Sequence, residues 1–231
     1  MIDFSKRSYK KELLDRNDIP FADIQQNMKE LDFINTYLGG HSITTLGFKK
    51  LAIGKKALTV CEIGCGGGDN MNAIYRKWFK RNTDLQFLGI DINADAIAYA
   101  EIKSTIPGIN FIISDYKKVD LENNKPDIIF TSLFCHHFTN EELIEMMQWL
   151  RKNSKIGFYI NDLHRHPLAY HFIKIATKIF SKSYLVQNDA PLSVLRGFNK
   201  SDWKYILDKA GITDYTIEWK WAFRYLITVK K

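Results

Sequence analysis

Residues 62–70 read Glu-Ile-Gly-Cys-Gly-Gly-Gly-Asp-Asn, and this stretch decides the fold. It continues the apolar run LTVCEI (58–63) and opens a segment, 70–80, whose apolar residues recur at helical spacing. A strand that passes through glycines into a helix brings backbone within van der Waals reach of a ligand and aims free N–H groups at it. A dinucleotide fingerprint, G-x-G-x-x-G counted from Gly64, needs a third glycine where Asp69 stands, and a carboxylate there repels a pyrophosphate. No phosphate-cradling G-x-x-x-x-G-K-[ST] occurs anywhere in the chain. The expected ligand is adenosine-like, without phosphates, and compatible with positive charge.

Working outward, the runs QFLGID (86–91), NFIIS (110–114), DIIFTS (127–132) and IGFYIND (156–162) are short, rich in Ile and Phe, and end at turn formers. Such runs predict strands buried on both faces, as parallel sheets require. Between them, 94–106 and 140–152 predict helices, the second entered through Thr139 with acids in its first turn. Alternation of strand and helix predicts a doubly wound α/β sheet. Before it, residues 9–16, 21–38 and 42–52 predict a helical N-terminal cap. After it come a helix over 166–181, a loop holding Ala190, Pro191 and Leu192, a helix over 201–211, and two strands within 214–230 that turn around residues 220–222. The chain reads as one domain: a cap (1–57), a cofactor-binding core (58–162), and substrate-side helices with terminal strands (163–231).

Composition bounds the reading. The 231 residues are 45% hydrophobic and 26% charged, ordinary globular values. Cys61, Cys65 and Cys135 have no zinc or disulfide spacing, which fits a reduced, cytoplasmic compartment. The opening MIDFSKRSYKKELL has no apolar signal core, and the longest apolar stretch without charge, 128–140, is too short to span a bilayer. The net charge is +7, but residues 58–150 carry 8 basic and 13 acidic groups while residues 151–231 carry 15 and 6. An acidic centre between basic flanks implies two different partners.

Two further acids agree with the glycine loop. Asp91 ends the second predicted strand, where a carboxylate accepts from both ribose hydroxyls. Asp115 follows the third, in reach of an adenine amino group, with Tyr116 beside the ring. Open α/β sheets bind ligands at these carboxyl strand ends.

EIGCGGG (62–68), GIDIN (89–93), SDY (114–116) and PDIIFTSLFCHHF (126–138) together resemble the successive motifs of class I S-adenosylmethionine-dependent methyltransferases. The resemblance covers about residues 58–162. It implies a Rossmann-like, mostly parallel seven-stranded sheet and S-adenosyl-L-methionine as cofactor, with S-adenosyl-L-homocysteine as product. It also implies that Gly64, Gly66 and Gly68, with Cys65 and Asn70, hold the methionine part. Asp91 and Ile92 then face the ribose, and Asp115 and Tyr116 the adenine. Ser132 and Leu133 follow the fourth strand, and Glu62 either orients the loop or reaches the cofactor's amino group through water. LFCHHF resembles the quinone-biosynthesis branch. LLDRNDIP (13–20), NMKELDFINTYLGG (27–40), NDLHRHPLAY (161–170) and APLSVLRGF (190–198) resemble methyltransferases associated with type III polyketide synthases and phenolic lipids. That resemblance implies a small apolar aromatic acceptor, phenolic and alkyl-tailed.

A phenol of pKa about 10 is roughly 0.1% ionised at neutral pH, so transfer to its oxygen needs a base. Five of the six histidines cluster after strands four and five. The candidate bases are His136, His137 and His164, with Asp162 as support. No metal is expected, because no recognised ligand spacing completes the histidines. C-methylation of a quinol ring, an RNA substrate suggested by the basic charge, and an inactive binding module remain alternatives. No nucleic-acid module is visible. The basic, Trp-containing last third suggests peripheral contact with a membrane.

Overall fold

The computed structural model describes residues 2–16, 18–79 and 84–231. Seven strands form one sheet: β1 (Ala57–Ile63), β2 (Asp84–Asp91), β3 (Asn110–Ile113), β4 (Ile128–Ser132), β5 (Gly157–Leu163), β6 (Tyr215–Lys220) and β7 (Arg224–Lys230). Their order is β3-β2-β1-β4-β5-β7-β6. The first five are parallel, and β7 runs antiparallel to both β5 and β6. The order reverses between β1 and β4, which makes the crevice above their carboxyl ends the natural binding place.

The helices are α1 (Phe21–Tyr37), α2 (Gly40–Ala52), α3 (Asp69–Trp78), α4 (Ala94–Lys103), α5 (Asn140–Asn153), α6 (Pro167–Phe180), α7 (Tyr184–Arg196) and α8 (Lys200–Lys209). Alternate residues of the central strands serve opposite layers. Val60, Phe130 and Tyr159 pack with Phe48 of α2 and Ile74 of α3. Cys61, Ile129 and Phe158 pack with Met147 of α5 and Trp203 of α8. All five residues of β4 are buried, as a strand covered on both faces must be.

Of the helical N-terminal cap, only α1 lies outside the sandwich. Helix α2 belongs to the sheet's own layer, through Phe48, Leu51 and Ala52. Two expectations are corrected. Residues 9–16 hold only a 3-10 turn, Leu13–Asp15. The backbone N–H groups of Leu13 and Leu14 donate to the Asp189 carboxylate at 2.8 and 2.9 Å, so a tertiary partner replaces the bonds that a helix too short to nucleate cannot supply. Residues 190–192 are not a loop but the middle of α7, with Pro191 inside it. Burial of Leu185, Val186 and Val194, and the cap from Ser183 to the N–H of Val186, outweigh the hydrogen bond that proline removes. Lys80, the expected end of α3, lies outside the described residues.

Trp203 is fully buried, with its ring centroid 4.1 Å from that of Phe198. Trp203→Ala is expected to lower the unfolding free energy by about 3–5 kcal/mol in a urea titration, because the surrounding layer closes such a void only in part.

Candidate active site

The carboxyl ends of β1, β2 and β4 open into a cavity of about 690 Å³. Its floor is the glycine loop. The Gly64 and Cys65 N–H groups donate to the Ile90 carbonyl at 2.8 and 3.2 Å, pinning the loop to the end of β2. Gly64 has φ of 65°, and a Cβ there would fall inside the Phe134 ring. No other residue fits. Gly66, with φ of 48°, donates its N–H to Asp91 Oδ2 at 2.8 Å, and Asn93 N–H donates to Oδ1 at 2.9 Å. Asp91 therefore fixes the loop while its remaining lone pairs face the cavity. Burial raises its pKa, and these two N–H bonds work against that rise.

The expected cofactor residues separate into a wall and its support. Gly64, Cys65, Gly66, Asn70, Asp91 and Ile92 line the cavity, as do Ser132 and Leu133. Gly68 caps α3 just behind the loop. Glu62 is wholly buried and accepts from Asn70 Nδ2 at 3.1 Å, and Thr44 Oγ1 donates to Asn70 Oδ1 at 3.0 Å. Burial, with Asp69 nearby, pushes the Glu62 pKa well up from the ordinary carboxylate value. Asp115 and Tyr116 are not in the wall. Asp115 accepts from the Lys117 N–H at 3.0 Å, and Tyr116 packs edge-on against Trp149 at 5.0 Å. They follow β3, the outermost strand on that side, one position further from the crevice.

Sequence reading missed the residues that close this end. Asp69 accepts from His41 Nε2 at 2.7 Å and from Asn35 Nδ2 at 3.1 Å. Arg224, from β7, donates from Nη2 to Asn35 Oδ1 at 2.9 Å, while its buried Nη1 has no partner among the described residues. Burial lowers the Arg224 pKa to about 10, which leaves the guanidinium charged. That nitrogen is shut off beside Gly40, so Arg224 acts on the cavity it lines through its positive charge.

At the opposite end stands a charged cluster. His136 Nδ1 donates to Asp162 Oδ1 at 2.8 Å, and its Nε2 lies 3.5 Å from Glu12. Burial opposes charge on His136, but Asp162 and Glu12 outweigh it and push the pKa up to about 9. His137 sits with Nδ1 3.3 Å from Asp15 and Nε2 3.7 Å from Glu12. Arg196 donates to the His136 carbonyl at 3.0 Å and reaches within 3.9 Å of Glu12. His136 and His137 line the cavity, as do Glu12 and Asp15; Asp162 stands behind His136 with no exposure. His164 is elsewhere: it accepts from Trp219 Nε1 at 3.2 Å, and burial, with His166 and Arg165 beside it, lowers its pKa to about 4. Glu12, His136 and His137 bring metal-ligating atoms together, as do Asp32, His41 and Asp69. In the first group Asp162 and Arg196 already supply opposite charge to every member.

The methyltransferase domain family matches residues 54–211, more than half of the chain. The chain belongs to that family. Its fold is that of S-adenosylmethionine-dependent methyltransferases. Human N-acetylserotonin methyltransferase, solved with S-adenosylmethionine, is similar with a TM-score of 0.65 at 15% identity, over 92% of this chain and 56% of that one. The chain thus spans a little over half the length of the human enzyme. The plantazolicin methyltransferase BpumL, solved with S-adenosylhomocysteine, gives 0.65 at 20% identity, over 91% and 89%. A methyltransferase from Aquifex aeolicus gives 0.64 at 17%, over 92% and 99%. No curated protein sequence matches. The site's chemistry fits the cofactor of these methyltransferases: a glycine loop closed to a side chain at Gly64, carboxylates at Asp69 and Asp91, and a positive charge at Arg224, all lining one cavity.

The raised pKa of His136 makes the cluster pH-dependent. Its contribution to stability is complete below about pH 6.5, the ordinary value, and is lost as pH rises through about 9. It is worth on the order of 3 kcal/mol. The gap in thermal midpoint between the protein and His136→Gln is expected to narrow steadily between pH 6.5 and 9, as read by calorimetry. Asp162 and Glu12, buried but held below the carboxylate range by His136, lose their contribution only in acid.

Proposed function

We propose that the protein transfers a methyl group from S-adenosyl-L-methionine to the oxygen of a small apolar phenol. The observation that carries this reading is the imidazole–carboxylate cluster facing the glycine loop across one cavity. The segments that resemble phenolic-lipid methyltransferases support it, because they supply part of the cavity wall. Leu14, Asp15 and Ile19 come from LLDRNDIP, Met28, Ile34 and Leu38 from NMKELDFINTYLGG, and Ser193 and Val194 from APLSVLRGF.

When bound, the cofactor supplies a methyl carbon on a cationic sulfur, which becomes a neutral thioether as that carbon bonds to the acceptor. The chain's residues do the rest. Arg224 would attract the cofactor's carboxylate, Asp69 would balance its ammonium, and Asp91 would accept from its ribose hydroxyls. The apolar wall of α1 and α6 holds the acceptor ring and excludes water. His136, charged at neutral pH between Asp162 and Glu12, cannot take a proton; it positions Glu12. His137 Nδ1 faces Asp15 at 3.3 Å. Nε2, beyond hydrogen-bond range of Glu12, receives the acceptor's hydroxyl proton. Glu12 and Asp15 then stabilise the imidazolium that forms.

His137→Gln is expected to lower turnover by about 10²–10⁴-fold with cofactor affinity unchanged. Arg224→Met is expected to weaken cofactor binding about 10–100-fold by calorimetric titration, as a positive charge is lost from the cavity wall. The deciding experiment offers isotope-labelled S-adenosylmethionine with alkylresorcinols, quinols and bulk RNA, read by mass spectrometry. Label on a resorcinol oxygen is the expected result. Label on a ring carbon moves the activity to quinol C-methylation, and label on RNA alone overturns the acceptor reading.

A further inference from the structure

We propose that the rim of the cavity is a membrane-docking surface that seats on an anionic lipid bilayer. Helix α6 has two apolar faces where a solvated helix has one. Ala169, Tyr170 and Thr177 are buried on one side. On another, Leu168, Phe172, Ile175 and Ile179 repeat at i, i+4, i+7 and i+11 and stand 55–66% exposed. Four large apolar side chains in one open row are too many for a surface that meets only water.

The row is one bank of the cavity mouth. Phe172 belongs to both the row and the cavity wall. The other bank is α1, where Phe33 and Tyr37 are 59% and 71% exposed with ring centroids 4.3 Å apart. Glu30 joins the banks at one end by accepting from Ser181 and from the Lys182 N–H. At the other end Trp221, 70% exposed, lies 6.4 Å from Phe223, whose ring stacks on His166 just before α6. Exposed apolar groups thus border the entrance on both sides.

Charge selects the occupant. No Asp or Glu lies between Asp162 and Asp189, while Lys174, Lys178 and Lys182 are exposed within that interval. Apolar groups flanked by lysine fit the boundary between acyl chains and anionic headgroups. A second copy docked two-fold on the same row would set these lysines against themselves. The inference extends the acceptor reading, since an alkyl-tailed phenol partitions into a bilayer, but lipid binding is measured without any acceptor.

Flotation of the full chain with phosphatidylcholine vesicles, with and without phosphatidylglycerol, tests it. Binding to the anionic vesicles is expected. The paired substitution Ile175→Ser with Ile179→Ser, both on the exposed row, should weaken binding at least tenfold while cofactor affinity holds. Lys174→Gln and Lys178→Gln should each cost about fivefold on anionic vesicles alone. No flotation with either vesicle overturns the inference, as does flotation that these variants leave unchanged. A dimer by light scattering that the Ile175 and Ile179 variants dissolve, without flotation, also overturns it and makes the row a contact between copies. Flotation without methylation of phenols counts against the acceptor reading alone; methylation without flotation counts against docking alone.

Discussion

A buried imidazolium needs opposite charge on every side that water would otherwise fill, and His136 obtains it from two distant parts of the chain. Asp162 comes from β5 and Glu12 from the N-terminal segment. Arg196, from α7, and Arg7, from the N-terminal segment, then tie the backbone of the 3-10 turn Cys135–His137 and its cap. Arg196 reaches the His136 carbonyl, and Arg7 reaches that of Phe138 at 2.9 Å. Removing one member leaves the others as unpaired buried charges, the costly case for such clusters. Where these charges meet, they close the end of the cavity lined by Glu12, His136 and His137.

The cofactor end rests on a different kind of constraint. Gly64, Gly66 and Asp91 are held by backbone geometry and by hydrogen bonds between two adjacent strand ends. Steric closure fixes one end and charge compensation the other. The first tolerates no side chain at Gly64. The second tolerates changes in the apolar wall as long as its charged groups stay matched.

Much of the fold was legible because each central strand is an apolar run bounded by turn formers, and parallel strands buried on both faces must look so. The glycine loop and Asp91 were legible because they are contiguous or one strand apart. His136 and His137 were readable as a pair, but their state was not, since Glu12 and Asp15 come from a segment whose spacing suggested an ordinary helix. Arg224 and Asn35 carried no motif; β7 and α1 bring them together only in the folded chain. Pro191 misled because a local rule against proline in helices competes with tertiary burial, and burial prevailed.

The two ends of the cavity also differ in how far apart their parts lie along the chain. The cofactor floor is assembled from residues 64–93, neighbours that meet through one strand–helix–strand crossover. The acceptor wall joins residues 7–16 to 136–140 and 189–196, so its closure carries the entropy of a long loop. Loop-closure entropy therefore weighs on the N-terminal segment far more than on the glycine floor, whose parts are already near one another along the chain.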